Sequence, residues 1–162
     1  MERLDEGQDF HVFVDYAHTP DGLFNVLSSL EGLSKHRVIS VFGCGGDRDS
    51  GKRPLMGEIA SRFSDVVVVT TDNSRSKRPE DILEQIKAGI GKAPKKAEVF
   101  VLEDRKEAIG QAIEMAEPHD VVLIFGKGHE DYQIVGKEKI PFQDQEVARH
   151  WLKKRCSPLA KS

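Results

Sequence analysis

Residues 41–57 read VFGCGGDRDSGKRPLMG. VFG closes a β-branched apolar run, and KRPLMG opens a stretch whose apolar residues recur at helical spacing, so the segment reads as strand, glycine-rich loop and helix. Gly46, Gly51 and Lys52 stand at the spacing of the phosphate-cradling loop G-x-x-x-x-G-K-[ST], but Arg53 occupies its last position. That motif needs its final hydroxyl for Mg²⁺, which arginine cannot supply, and Asp47 and Asp49 would set carboxylates against a triphosphate. The loop is therefore read as something other than a triphosphate cradle.

The same alternation runs outward in both directions. HVFVDYA, HRVISVFG, DVVVVTTD, EVFVLED and DVVLIFG read as strands, several of them apolar throughout, as expected where helices cover both faces of a sheet. Between them TPDGLFNVLSSLEGL, KRPLMGEIASRF, RPEDILEQIKAGI and DRKEAIGQAIEMA carry the i, i+3, i+4, i+7 pattern. Thr19 before Pro20 and Asp104 three residues before Glu107 are helix-start signals. The expected fold is α/β, a Rossmann-like and mostly parallel sheet with helices on both faces. After the fifth strand, DYQIVGKEKIPF reads as a β-hairpin, followed by a last helix capped by Asp144.

With 162 residues and a net charge of −3, the chain has the size of one domain and no general attraction to nucleic acid. No apolar run approaches the roughly 20 residues of a membrane span, so no membrane partner and a cytoplasmic location are expected. Cys44 and Cys156 lack metal or disulfide spacing and are assigned no chemistry. Metal binding is not expected either, because His18, Asp47, Asp49, His129 and Glu130 form no tight ligand pair such as H-E-x-x-H.

Ligands of open α/β sheets gather beyond the carboxyl ends of the strands. Four loops there carry polar side chains that packing does not require: DYAHTPD at 15–21, GCGGDRDSGKR at 43–53, TDNSRSKR at 71–78 and GKGHED at 126–131. Singly, each has a plain structural reading as a tight turn, an Asx turn or a solvated ion pair. Together, Arg48 and Arg75 suit a carboxylate, while Glu130 and the Gly126 carbonyl suit an ammonium group. That is a pocket for a zwitterion.

The segments VDYAHTPDGL, VFGCGGDRDSGKRPLMG, TTDNSRS, IFGKGHEDYQIVG and PFQDQEVAR resemble, in order, the C-terminal part of UDP-N-acetylmuramoyl-tripeptide synthetases, the Mur ligases that add the third peptidoglycan amino acid. The resemblance implies that residues 1–16 end the central ATP-binding domain and its linker, 17–155 form the amino-acid-binding C-terminal domain, and 156–162 are a tail. It implies an ATP- and Mg²⁺-dependent amide-forming ligase in the cytoplasm, a monomer that uses UDP-MurNAc-L-Ala-D-Glu, ATP and a diamino acid. The true P-loop and the carbamylated lysine of such enzymes would lie outside this chain, which alone should be inactive. Matched to the family's motifs, Asp15 and His18 fall on the nucleotide-binding segment, and Arg48, Asp72, Asn73, Arg75, Gly126 and Glu130 fall on the amino-acid pocket. Enzymes for meso-diaminopimelate usually read D-N-P-R where this chain has Ser74, so meso-diaminopimelate is the expected amino acid and L-lysine the alternative. Outside the family, the competing reading is a stand-alone Rossmann-like module for a small anion or nucleotide, whose support is the glycine loop alone.

Overall fold

The computed structural model describes residues 1–31, 37–44, 51–73, 78–93, 97–127, 131–135 and 138–156. Its elements run β1 (Glu2–Leu4), β2 (His11–Val14), α1 (Pro20–Glu31), β3 (Val38–Phe42), α2 (Lys52–Phe63), β4 (Val66–Val69) and α3 (Pro79–Ile90). They continue with β5 (Glu98–Val101), α4 (Arg105–Met115), β6 (Val121–Phe125), β7 (Tyr132–Val135), β8 (Glu138–Pro141) and α5 (Asp144–Cys156). Six strands form one sheet in the order β1-β2-β6-β3-β4-β5, and β7 and β8 form a separate hairpin.

From β2 to β5 the sheet is parallel, with His11 opposite Val121, Val38 opposite Val121, Ile39 opposite Val66, and Val66 opposite Glu98. Each inner strand is sandwiched between helices, so both of its faces are apolar and alternate residues serve opposite cores. Val66 and Val68 face α4 and α5 with Ile109, Ile113 and Leu152, while Val67 and Val69 face α1, α2 and α3 with Leu27, Met56 and Ile86. α2 and α3 pack at close quarters: a Cβ at Gly89 would collide with the carbonyl of Pro54.

The helix-start signals act as expected. Thr19 Oγ1 accepts from the Gly22 amide at 3.1 Å, and Asp104 accepts from the amides of Lys106 and Glu107. Asp144 acts differently. It is the first residue of α5, and its buried carboxylate pairs with Arg105 rather than capping the helix.

One strand is absent from the expected set. β1 pairs antiparallel with β2, Glu2 opposite Val14, and buries only Leu4. Residues 1–16, which the sequence attributes to the end of a preceding domain, thus supply an edge strand and an inner strand of this sheet.

Candidate functional site

All four polar loops leave the carboxyl ends of parallel strands. The fold therefore gathers Asp15 after β2, Gly43 after β3, Asp72 and Asn73 after β4, and Gly126 after β6 on one rim. Their backbones are pressed together where side chains are missing. A Cβ on Gly43 would lie 2.5 Å from the Thr70 carbonyl, and one on Gly126 would lie 2.5 Å from the Gly43 carbonyl. Gly126 also has φ of +108°, which only glycine adopts without strain. The loops after β3, β4 and β6 thus meet at backbone contact, and the loop after β2 joins them through the Gly126 amide, which donates to the Ala17 carbonyl at 2.9 Å.

Asp15 is held by this framework. Its amide donates to the Ile124 carbonyl at 3.0 Å, its Oδ1 accepts from the Ala17 amide at 2.8 Å, and its Oδ2 lies 3.2 Å from the terminal amine of Met1. A carboxylate offers about four acceptor sites, so these bonds leave capacity for a further donor. Asp15 lines a cleft of about 410 Å³ together with Tyr16, Lys127, Asp131 and Gln143. His18 is exposed, with Nδ1 3.0 Å from the Tyr16 carbonyl oxygen.

Asp72 and Asn73 are buried, and their side chains serve the protein itself. Asp72 Oδ1 accepts from Lys127 Nζ at 3.2 Å. Asn73 Oδ1 accepts from the Ile134 amide at 2.9 Å, and its Nδ2 donates to the Tyr132 carbonyl at 3.4 Å. A second cleft, of about 580 Å³, opens between Asp72, Pro79, Glu103, Lys106, Ile134 and Phe142. Arg48, Arg75 and Glu130, the proposed charged contacts of the zwitterion, lie outside the described residues.

Arg53, which stands where a triphosphate loop has its hydroxyl, is buried, and its Nη1 donates to Gln85 Oε1 at 2.7 Å. The guanidinium is engaged between α2 and α3, consistent with rejecting the P-loop reading. Cys44 packs against the core beside α2, and burial pushes its thiol up to about 12, with Arg53 pulling it down and Asp72 adding to the rise. It is held as an inert thiol. Among the described residues no three His, Cys, Asp or Glu side chains cluster to hold a metal ion, so they do not fit a Mg²⁺ site.

Three residues of the rim escape a reading by motif. Lys127 lies inside GKGHED but was passed over beside the glycine and the acid. Arg105 and Asp144 are 39 positions apart, and each looks like an ordinary polar residue at a helix start. Arg105 is fully buried, with Nη2 donating to the Phe125 carbonyl at 3.0 Å and Nη1 to the Thr71 carbonyl at 3.4 Å. It fastens the ends of β4 and β6 from beneath. The available signal was the conflict between DRKEAIG as a solvated turn and the apolar face that follows it.

A family model described as Mur ligase, glutamate ligase domain, matches residues 1–128. The UDP-N-acetylmuramoyl-L-alanyl-D-glutamate--2,6-diaminopimelate ligase of Syntrophomonas wolfei is 53% identical over 153 residues, covering 94% of this chain and 31% of that protein. Its namesake from Thermosynechococcus vestitus is 55% identical, covering 94% and 30%. A solved structure of a ligase with that name matches with a TM-score of 0.87 at 38% identity, over 97% of this chain and 32% of the other. The chain thus spans just under a third of the length of these relatives. Among the described residues no helix is long and apolar enough to cross a membrane. With the family model matched over residues 1–128 and the α/β fold shared, this chain belongs to the Mur ligase family, whose glutamate ligase domain it carries.

Proposed function

We propose that this chain is the amino-acid-binding C-terminal module of an ATP-dependent ligase that joins meso-2,6-diaminopimelate to UDP-N-acetylmuramoyl-L-alanyl-D-glutamate in peptidoglycan biosynthesis, adding the third residue of the peptide. The observation that carries this reading is the meeting of the loops after β3, β4 and β6 at Gly43, Asp72 and Gly126, in a chain whose relatives above 50% identity bear that ligase's name.

In this reading Arg48 and Arg75 bind the far carboxylate of the amino acid, and Glu130 with the Gly126 carbonyl binds the ammonium beside it. Asp72 and Asn73 frame the pocket through the groups they hold. Asp15 accepts from the ribose hydroxyls of ATP, beside His18. ATP phosphorylates the free carboxylate of the UDP-sugar peptide, and the amine of the diamino acid attacks the acyl phosphate. This module's share of catalysis is orientation of that amine, and the phosphate-binding groups belong to the rest of the ligase. The described residues do not fit a metal, so no step here runs through Mg²⁺. The substrates are nucleotides and free amino acids, which places the reaction in the cytoplasm and calls for neither a membrane nor nucleic acid.

The test is ADP release by the whole protein supplied with the UDP-sugar dipeptide, ATP and either meso-diaminopimelate or L-lysine. The expected result is turnover with meso-diaminopimelate and none from the isolated chain. Preference for lysine would overturn the amino-acid assignment. Phosphate release above background by the chain alone would overturn its reading as one module of a larger enzyme.

A further inference from the structure

We propose that Lys127 is a positioning residue for the amino-acid pocket, tying the loop after β4 to the loop after β6 and thereby fixing the β7–β8 hairpin. The proposal rests on the function proposed above.

Lys127 is 5% exposed. Its ammonium donates to Asp72 Oδ1 at 3.2 Å and to the Tyr132 carbonyl at 2.5 Å, and it lies 5.4 Å from the Phe142 ring centre and 6.0 Å from that of Tyr132. The same Tyr132 carbonyl receives Asn73 Nδ2, and Asn73 Oδ1 accepts from the Ile134 amide. One cation and one amide thus bind Asp72–Asn73 to the backbone of β7.

The hairpin needs such a fastening. It shares no strand pairing with the six-stranded sheet, and a two-stranded ribbon is marginal alone. A desolvated ammonium is costly unless paired, so an apolar side chain of similar length would pack there at lower cost. The pair also sits at the stems of the two loops that matter. Asp72 is three residues before Arg75, and Lys127 three before Glu130. The tie therefore sets the separation between the guanidinium that takes the far carboxylate and the acid that takes the ammonium. A displacement of about 1 Å in such a pocket can cost on the order of 10²-fold in rate.

The experiment uses the whole ligase with Lys127→Met, Lys127→Arg and Asp72→Asn, the three substrates varied separately. Amide hydrogen exchange of the ligand-free protein is followed at Ile134. Lys127→Met is expected to raise KM for meso-diaminopimelate about tenfold or more, to leave KM for ATP within about threefold, and to speed exchange at Ile134 over that in β6. Lys127→Arg keeps the cation and should recover most of the loss. Asp72→Asn keeps the shape and should show the same KM split if Lys127→Met fails to fold. If all three KM values move together, or Ile134 exchange is unchanged, Lys127 only supports the fold and the proposal is overturned. If the unmodified ligase accepts no diamino acid, the functional reading fails and the pocket role fails with it. Faster Ile134 exchange in Lys127→Met would still separate that failure from the absence of the tie.

Discussion

Arg105 and Asp144 meet side-on in the interior, with Arg105 Nε and Nη2 donating to the two carboxylate oxygens of Asp144, each at 2.8 Å. The pair joins the first turn of α4 to the first turn of α5, and the guanidinium spends its other donors on the strand ends beneath the site. Burial alone would lower the arginine's proton affinity. The adjacent Asp144 charge and its hydrogen bonds outweigh that and hold Arg105 above its ordinary value. The group stays cationic throughout the working pH range.

Removing one member of this pair leaves the other charge desolvated. Arg105→Met or Asp144→Asn should therefore cost about 3 kcal/mol or more of stability, while the double change Arg105→Met/Asp144→Leu should recover a large part of it. Urea unfolding of the purified chain measures all three. A single change costing under about 1 kcal/mol would show that the pair contributes little.

Gly126→Ala should do damage at the rim rather than in the core. Its φ of +108° and the 2.5 Å approach of a new Cβ to the Gly43 carbonyl add backbone strain to a clash. A loss of about 1–3 kcal/mol is expected, with the loops after β3 and β6 forced apart. Thermal unfolding and diamino-acid affinity of the whole ligase should both fall. Unchanged affinity at lowered stability would place Gly126 outside the pocket.

The two thiols should separate by reactivity. Cys156, at the end of α5, is partly exposed, whereas burial raises Cys44 from 9.0 to about 12. At pH 8 an aromatic disulfide reagent should titrate one thiol quickly and the second only after denaturation. Because the folded-state value is the higher one, the neutral thiol's contribution is complete below about pH 9 and is lost as pH rises towards 12. Cys44→Ala should accordingly soften the alkaline fall in stability, as measured by urea midpoints between pH 8 and 11. Rapid reaction of both thiols in the native chain would contradict this burial.

Much of the architecture was legible because inner parallel strands write both cores into one run. VVVV at 66–69 has no other comfortable place than between two helical layers. The four site loops followed from strand direction alone. β1 was not legible, since ERL is three residues long, buries only Leu4 and carries no alternation to read. The buried ion pairs were hidden for a different reason. Asp72 and Lys127 are 55 positions apart, so neither one's neighbours say whether its charge faces water or a partner. Asp144 shows the same limit: an acid at a helix start is a capping signal locally, and only the packing of α4 against α5 makes it a counter-ion.

Selection of the amino acid follows from the two arginines of the proposed pocket. Meso-diaminopimelate differs from lysine by a carboxylate on its far amino-bearing carbon. In the proposed pocket Arg48 and Arg75 converge on that carboxylate, with Glu130 taking the ammonium on the same carbon. Lysine leaves the guanidinium groups facing each other with no anion between them, and a site with unpaired donors and like charges discriminates by about 10²-fold or more. The unmodified ligase should therefore show a kcat/KM for meso-diaminopimelate at least about 10² times that for lysine. Arg75→Ala should compress this ratio, mainly by raising KM for meso-diaminopimelate, because a charge-assisted contact of about 1.5–3 kcal/mol is lost for one substrate only. Ser74→Pro, which restores the usual D-N-P-R, should leave the ratio unchanged or raise it, since proline stiffens the loop without removing a contact. A lysine preference in the unmodified enzyme, or a ratio that Arg75→Ala leaves untouched, would remove the arginines from the selectivity step.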